Sequence, residues 1–440
     1  MGGLMTRIMV VGHGARENVI AEAFRRNKAV KLYSFMKSKN PGIASLSEDA
    51  LVGSYSDLES IREFAKKNNI DFAFIGPEDP LNEGVVDALE EEGIESVGPT
   101  KLLAQLETSK SFTRELLKKY NIEGNPKFKI FNNNNLNEID DFLNEIEEVV
   151  VKPDGLTGGK GVRVQGDHFS TKEEAISYCK EVLESHESVI VEEKLDGEEF
   201  SLQCLTDGKT VIMMPPVQDH KRAYDGDKGS NTGGMGSYSC EDHLLPFLKK
   251  EHVDAALDIT KKVANAIYEE TGEYYRGVMY GGFILTKNGV KLIEYNVRFG
   301  DPEAMNVLPL LKTDFASICQ AMIAQELERV KIEFERKATV CKYVVPEGYP
   351  DKPVKDEKVE VAEEGKAKVY YASVEEKEDG LYMTGSRAIA FLGVGGNLEE
   401  AEKAAEEAVS SVKGKVFHRK DIGTKELIQK RVDHINKISG

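Results

Sequence analysis

The sequence predicts a multidomain protein with α/β and α+β parts, on three observations. Short apolar runs alternate with helical patterns through the first hundred residues, which is typical of parallel strands joined by helices. After about Glu333 the chain returns to strand-like runs and then to a capped helix over 397–412, which indicates a separate α+β module. At 440 residues it is too long for one ordinary core, so three or more packed units are expected.

The first part contains four predicted strands. They begin at Arg7, Val30, Asp71 and Glu95. Before the third strand, Ser56 and Glu59 form a capping-box pair followed by an apolar stripe, which predicts a helix that ends near Asn69. Around Gly98 the pattern changes to two helical stretches, and we place the first domain boundary there.

The middle of the chain has a different texture. Strand-like runs over 149–199 flank a glycine-rich loop and one helical stretch. The segment 214–239 shows no periodic pattern and predicts a long irregular segment, which in a compact enzyme is usually functional. A helix with an apolar stripe over 253–267 is expected after it.

The run LIEYNVRFGDPE over 292–303 places three polar side chains in a row. If it is a strand, Glu294, Asn296 and Arg298 project from one face at every second position. The carboxylate and the carboxamide offer hard oxygen ligands suited to Mg²⁺, and the guanidinium can grip phosphate oxygens with paired donors. The residues of the other face are expected to pack; they are Ile293, Tyr295, Val297 and Phe299.

A solvated polar face on an edge strand is the plainer interpretation of this row. The neighbouring run YGGFIL over 280–285 is apolar at both alternating positions, which indicates a sheet covered on both sides. Polar side chains inside a covered sheet need a ligand or polar partners. The row therefore predicts a metal-nucleotide site.

Charge and cysteine content argue against several classes of function. The 58 basic and 76 acidic residues give a net charge of −18, which argues against nucleic acid or an anionic membrane as a partner. The five cysteines are widely separated and form no CxxC pair, so neither a disulfide framework nor a zinc site is indicated. No apolar run approaches the ~20 residues that cross a bilayer. A reducing cytoplasm is the expected location.

A glycine-rich loop, DGLTGGKGV over 154–162, stands between two strand-like runs. A Walker A loop would need glycine in place of Asp154, Ser or Thr in place of Gly161, and a helix afterwards. The loop is therefore either a mobile hairpin whose amides and Lys160 close over phosphates, or a flexible turn.

Two further segments are candidates for ligand contact. GHGARE over 12–17 follows a strand and opens a helix, so its amides could hold a phosphate; the dinucleotide fingerprint is incomplete because Glu17 replaces a glycine. A tight turn would use the same glycines. The segment 218–239 combines Asp219, Lys221, Arg222 and Asn231 with closely spaced glycines, which suits close approach to a ligand, although a solvated loop is the alternative.

With these residues in view, the chain resembles the phosphoribosylamine–glycine ligase family of the ATP-grasp superfamily, nearly from end to end. Eight strings carry the resemblance in order: VGHGARE, GPEDPL, LETSKSF, VVKPDGLTGGKGV, EEKLDGEEFS, QDHKRAYDGDKGSNTGGMG, IEYNVRFGDPE and HRKDIG. The combination of QDHKR with NTGGMG is particular to this family. Another ATP-grasp carboxylate–amine ligase would share the lid and the metal strand but lack that segment.

The resemblance implies an architecture and a reaction. It implies a Rossmann-like domain over 1–104, an ATP-grasp core over 105–124 and 194–330, a lid subdomain over 125–193, and a C-terminal α+β domain over 331–440. The implied reaction joins glycine to 5-phosphoribosylamine with ATP, through a glycyl phosphate, in purine biosynthesis. Mg²⁺ or Mn²⁺ is the implied metal, and a monomer or weak dimer is expected. A non-catalytic nucleotide sensor is the alternative from another class.

The resemblance also assigns roles to individual residues. The residues expected to bind ATP are Lys110, Lys152, Gly158, Gly159, Lys160, Gly161, Glu192, Lys194, Leu195 and Glu199. Those expected to bind the other substrates are Gly12, Arg16, Glu17, Gly76, Glu78, Asp219, Lys221, Arg222 and Asn231. Glu294 and Asn296 match the metal positions, and Arg298, Lys152 and Asp219 are expected to be catalytic.

Within the ATP site the implied roles are more specific. Backbone groups at Glu192, Lys194 and Leu195 are expected to read adenine, and Glu199 the ribose hydroxyls. The strand before the metal strand offers Gly281, Gly282 and Phe283 where many superfamily members have an oxygen ligand, which leaves a second metal site open.

Overall fold

The computed structural model describes residues 5–156, 161–362 and 365–440. Its first unit is a parallel five-stranded sheet with helices between the strands. The elements are β1 (Thr6–Val11), α1 (Ala15–Arg25), β2 (Val30–Met36), α2 (Pro41–Leu46), β3 (Asp49–Val52), α3 (Leu58–Lys67), β4 (Phe72–Ile75), α4 (Glu78–Glu83), α5 (Val85–Glu90) and β5 (Glu95–Val97). The strand order is β3-β2-β1-β4-β5. The parallel sheet is the one that the alternating pattern predicts, and its Rossmann-like arrangement is the one that the resemblance implies.

Two details of this unit differ from the sequence prediction. The edge strand β3 was not predicted, because three of its four residues are exposed and its sequence DALV has no buried alternation. Helix α3 is capped by Asp57, whose carboxylate accepts the Ser60 N–H at 3.1 Å. The predicted capping-box pair of Ser56 and Glu59 is therefore wrong by one position.

The next unit is a small sheet with its own apolar core. After α6 (Gln105–Thr108) and α7 (Lys110–Lys119) come β6 (Phe128–Phe131), α8 (Ile139–Asn144), β7 (Val149–Pro153), β8 (Arg163–Val164), α9 (Lys172–Leu183) and β9 (Val189–Glu193). The strand order is β6-β9-β7-β8, and the core of this sheet is separate from the main core of the molecule. This is the region in which the sequence places the lid.

The central unit contains the strand that carries the polar row. Its elements are β10 (Gly197–Thr206), β11 (Val211–Met213), β12 (Gln218–Asp219), β13 (Arg222–Tyr224), β14 (Lys228–Asn231), β15 (Gly236–Ser239), α10 (Lys250–Thr271), β16 (Gly277–Thr286), β17 (Gly289–Asn296), α11 (Glu303–Val307) and α12 (Phe315–Ala324). An antiparallel sheet runs in the order β11-β10-β16-β17. The predicted irregular segment over 214–239 is wrong, because the chain forms four short strands there.

The last unit completes the fold. It contains β18 (Ala338–Pro346), β19 (Glu357–Val359), β20 (Lys368–Tyr371), β21 (Val374–Lys377), β22 (Gly380–Met383), β23 (Ile389–Gly395), α13 (Leu398–Ser410), β24 (Val416–Phe417) and α14 (Lys425–Ser439). One sheet runs β12-β15-β18-β23-β20, so strands from the central unit pair with strands of this one. In the part of the chain that is described, no helix is both long and apolar enough to span a bilayer.

Candidate active site

The polar row lies on β17 and just beyond its end. Tyr295, Val297 and Phe299 are buried, whereas Glu294, Asn296 and Arg298 keep partial exposure, as the alternation predicts. The expectation for Ile293 is wrong. A β-bulge pairs Gly282 with Glu294 and Phe283 with Leu292, so Ile293 has no partner opposite it and lines the same cleft as Glu294.

Arg298 is held by carboxylates from two other elements. Its Nε lies 2.9 Å from Glu78 at the start of α4, and its Nη2 lies 2.9 Å from Glu107 in α6. Nη2 also donates to the Asn296 amide oxygen at 3.2 Å. Arg298 lowers the pKa of Glu78 to about 2, whereas burial raises the pKa of Glu107 to about 7 despite the same guanidinium. The arginine and the amide are therefore oriented together.

The glycine turn before α1 encloses Glu17. The Glu17 carboxylate accepts the Gly14 N–H at 2.7 Å and pairs with Arg16 Nε at 2.5 Å. A Cβ at Gly12 or Gly76 would collide with the Glu17 side chain, so both positions need glycine. The amide of Gly14, which the sequence offers to a phosphate, is thus occupied by the chain's own carboxylate. Arg16 also donates to the Phe299 carbonyl at 3.1 Å, which ties this turn to the polar row.

Two lysines approach the cleft from separate elements. Lys110, in the first turn of α7, donates to the Gly155 carbonyl at 2.7 Å. Lys152 on β7 pairs with Glu192 on β9 at 2.7 Å. Desolvation lowers the pKa of Lys110, and the nearby Lys152 charge lowers it further. Both lysines therefore lie at the junction between the lid sheet and the central unit.

The predicted adenine hinge follows β9. The Glu192 side chain is turned into the interior, where it pairs with Arg114 as well as Lys152. Burial alone would raise its pKa, but the Arg114 and Lys152 cations lower it to about 2. The Lys194 N–H donates to the Glu148 carbonyl at 2.9 Å, so it is already used within the protein. Leu195 is half-buried beside it.

The predicted lid loop is only partly described. Gly158, Gly159 and Lys160 lie outside the described residues. The flanking strands β7 and β8 pair in an antiparallel manner, so the loop connects strand to strand as predicted. Gly161 follows the gap, and its carbonyl accepts the Tyr178 hydroxyl at 2.7 Å.

A cleft is lined by residues of the neighbouring strands β10, β16 and β17 and of the segment that begins with β12. Among the residues lining it are Glu199, Asp219, Lys221, Ile293 and Glu294. The Lys221 ammonium is 4.0 Å from both the Glu199 and the Glu294 carboxylates. Lys221, expected on the phosphoribosylamine side, therefore lies between the residues expected to bind ribose and metal.

Charge within this cleft is balanced by opposing effects. Desolvation opposes ionisation of Glu294, but the Lys221, Lys152 and Lys110 charges lower its pKa below the usual value. Desolvation and then the Glu303 charge raise the pKa of Asp219, with Lys221 acting against them. Of these two carboxylates, Glu294 is therefore the one whose surroundings favour the ionised form.

Arg222 and Asn231 lie on the hairpin formed by β13 and β14, where they face each other. Arg222 pairs with Asp167 of the lid region at 2.6 Å. The hairpin is thus attached to the lid by the residue that was expected to bind substrate.

Four residues at the site were missed by the sequence reasoning. They are Glu107, Arg114, Asp301 and Arg387. Glu107 and Asp301 lie within two of the eight strings that carry the family resemblance, so the sequence could have indicated both residues. Arg387 donates to the carbonyls of Gly233, Gly234 and Asp301 at 2.8–3.0 Å, and nothing in its local sequence indicated this.

The fold and this site define an ATP-grasp protein: a small sheet with its own core adjoins an antiparallel sheet, whose strand β17 carries the polar row at the cleft. Family models for phosphoribosylglycinamide synthetase match nearly the whole chain, with the N domain over 6–107, the ATP-grasp (A) domain over 108–304 and the C domain over 339–425. The chain therefore belongs to the phosphoribosylglycinamide synthetase family.

Similar proteins agree with this assignment. The phosphoribosylamine–glycine ligase of Methanocaldococcus jannaschii is 53% identical, over 98% of this chain and 99% of its own length. That of Methanosarcina acetivorans is 49% identical, over 99% and 98%. A crystal structure of the enzyme from Thermotoga maritima superposes with a TM-score of 0.79 at 28% identity, covering 94% of this chain and all of that one.

The fold extends beyond the family. The biotin carboxylase domain of Hydrogenobacter thermophilus 2-oxoglutarate carboxylase superposes with a TM-score of 0.72 at 16% identity, covering 99% of this chain and 94% of that one. At that identity the likeness concerns the fold alone.

Proposed function

We propose that this protein joins glycine to 5-phosphoribosylamine with ATP, giving glycinamide ribonucleotide, ADP and phosphate in purine biosynthesis. Glycine's carboxylate is a poor acyl donor, so one of its oxygens first attacks the γ-phosphorus of ATP and ADP leaves. The amine of phosphoribosylamine then attacks the carbonyl carbon of the glycyl phosphate. Phosphate leaves and the amine loses a proton.

One observation carries the proposal: the Glu294 carboxylate faces the cleft among three lysines. Lys221 is 4.0 Å away, and Lys110 and Lys152 both act on its pKa. Lys152 and Lys221 also pair with Glu192 and Glu199, so the protein's own carboxylates hold these cations in place. Cations that are fixed around a metal-binding carboxylate suit the polyphosphate of a nucleotide.

The residues of the chain have distinct tasks in this proposal. Lys110, Lys152 and Arg298 neutralise phosphate charge and align the transferring group, so no nucleophilic side chain is needed. Arg298 suits this task because Glu78 and Glu107 hold its guanidinium in one orientation. Asp219 lines the same cleft and is the base that we assign to the amine proton, because a raised pKa makes its ionised form a stronger proton acceptor.

The donors present fit a divalent cation. Glu294 and Asn296 would hold Mg²⁺ or Mn²⁺ through a carboxylate and an amide oxygen, and the ion would supply charge neutralisation on the phosphate oxygens. In the described ranges, no group of three or more His, Cys, Asp and Glu could hold a metal ion. A two-ligand site that relies on nucleotide oxygens for its remaining ligands is therefore the arrangement that we propose.

The function is tested by measuring phosphate release from purified protein with ATP and Mg²⁺. We expect release only when glycine and phosphoribosylamine are both present, because the acyl phosphate is protected from water until the amine arrives. Full release without phosphoribosylamine, or with another acid in place of glycine, would contradict the proposal.

Two variants test the site. Glu294→Gln removes the ionised ligand and is expected to raise the Mg²⁺ concentration needed for half-maximal activity. Arg298→Ala removes a charge that acts on the transferring phosphoryl group, and turnover is expected to fall on the order of 10²-fold or more. Glu375→Gln, on the exposed strand β21, is the matched control. Near-normal turnover in both site variants would defeat the assignment.

A further inference from the structure

Arg114 is a buried arginine that the proposed reaction does not use directly. It lies in α7, and its side chain is 3% exposed. Its Nε and Nη2 donate to the two Glu192 carboxylate oxygens at 2.5 and 3.1 Å. Nη1 donates to the Leu292 carbonyl at 3.0 Å and Nη2 to the Ile293 carbonyl at 2.6 Å. One guanidinium therefore joins α7, β9 and β17.

The two carbonyls belong to the bulge in β17. Leu292 pairs with Phe283 and Glu294 with Gly282, so Ile293 is the extra residue. A bulge interrupts the regular ladder and changes the direction of the side chains that follow it. Here it places Ile293 and Glu294 in the same cleft. Arg114 binds the carbonyls of the two peptide groups immediately before Glu294.

Arg114 is also linked, through Glu192, to Lys152, which is expected to face the phosphates. Glu192 bonds to Arg114 through both oxygens and to Lys152 at 2.7 Å. Lys110 is one helical turn before Arg114 in the same helix. The guanidinium is thus connected to Lys152 through one carboxylate, and to Glu294 through one peptide.

We propose that Arg114 is a positioning residue that fixes the Glu294 carboxylate relative to the Lys152 ammonium, so that the metal and the phosphates of one nucleotide are bound together. This inference rests on the proposed function for the roles of those two groups. Its basis in this chain is the pair of carbonyl bonds at the bulge. Any buried arginine needs partners for its remaining donors, and here those partners are the two carbonyls immediately before Glu294, which is what points to a positioning role.

The variant Arg114→Lys distinguishes a stabilising role, through the pair with Glu192, from a positioning role, through the two carbonyls. Lysine keeps the positive charge beside Glu192, but its compact ammonium cannot bind both carboxylate oxygens and both carbonyls in one plane. Each lost bond to a charged group corresponds to a factor of about 10 to 100. We expect half-saturating Mg²⁺ and ATP concentrations to rise by about that factor. The measurement is a titration of activity, with MgADP binding measured by calorimetry in parallel.

Lys342→Met is the matched control. Lys342 is also a fully buried cation between two carboxylates, Glu402 and Glu406, each at 2.7 Å, but it lies in the C-terminal unit. We expect it to lower the free energy of unfolding without moving the half-saturating Mg²⁺ concentration. Arg114→Met is the stronger variant; if it does not fold, Arg114→Lys decides.

The outcomes separate the two proposals. If Arg114→Lys lowers stability as Lys342→Met does but binds Mg²⁺ and MgADP as the wild type does, the positioning role is overturned. If the wild type binds MgADP but shows no glycine-dependent phosphate release, the proposed function fails, and the calorimetric comparison still decides the role of Arg114. MgADP binding that is weakened in Arg114→Lys but not in Lys342→Met supports the positioning role of Arg114.

Discussion

At the scale of single residues, the site consists of charged side chains that form ion pairs with one another. Arg298 forms ion pairs with Glu78 of the N-terminal unit and with Glu107 of the short helix α6 that follows it. Glu192 is enclosed by Arg114 and Lys152. Such buried pairs add little stability over apolar packing, but removal of one partner leaves an uncompensated charge. Their value is that the cations already have fixed directions before a nucleotide binds.

Glu192 gives a prediction about pH. Its pKa is about 2 in the folded protein, against an ordinary value of 4.5, which corresponds to about 3 kcal/mol. This stabilisation is complete above about pH 4.5 and is lost as pH falls towards 2, because the unfolded chain takes up the proton first. We expect urea unfolding to show a wild-type advantage over Glu192→Gln that is constant from pH 7 to about 5 and shrinks below about 4.5. A constant advantage down to about pH 3.5 would contradict this.

At the scale of elements, the hairpin of β13 and β14 connects parts that are distant in sequence. Arg222 reaches Asp167 in the lid region, and Asp227 reaches Arg419 near the C-terminus at 3.1 Å. The sequence predicted an irregular segment here because strands of two to four residues, interrupted by glycine, leave no periodic pattern. β13 and β14 pair with each other, whereas β15 also pairs with β18 from the last unit.

The pair of Arg222 and Asp167 predicts an effect on nucleotide binding. Asp167→Asn removes a contact that joins the hairpin to the lid, and because both groups are partly exposed the effect should stay within about fivefold on the KM for ATP. Salt screens such pairs, so we expect the effect to vanish near 1 M NaCl. Glu138→Gln, which breaks an ion pair with Lys129 inside the lid, is the control and should leave this KM unchanged. A salt-independent change would point to another cause.

At the scale of the whole molecule, the C-terminal module is not structurally separate as predicted, because one sheet contains strands of both the central and the last unit. β15 pairs with β18, with Ser237 opposite Cys341 and Tyr238 opposite Val340. Residues of both units also share one apolar core. The domain boundary at residue 331 stays a prediction. In the fold, one sheet and one apolar core extend across that boundary.

This continuity predicts the result of a truncation. A chain ending at residue 330 would leave the β18 side of the buried strand β15 unpaired and expose the apolar surface that β18 covers. We expect it to be insoluble or to lack a cooperative unfolding transition, as measured by circular dichroism during heating. A soluble, cooperatively folded 1–330 fragment would show that the units are independent.

The sequence by itself determined the local patterns and the family. The parallel strands of the first unit and the alternation around Glu294 follow from periodicity, which each residue's near neighbours set. The eight strings identified the family because their residue types recur in order. Glu107 and Asp301 lay within those strings and could have been singled out.

Only the tertiary structure decided which distant residues meet. The bulge at Ile293 depends on the partner strand, and the bonds from Arg114 to this strand come from a helix 178 positions earlier in the chain. Glu17 occupies the amide at Gly14, and Arg387 reaches the glycine segment from another unit. Such contacts are set by packing of whole elements, whose free energy is shared among many residues and leaves no signal in any short stretch.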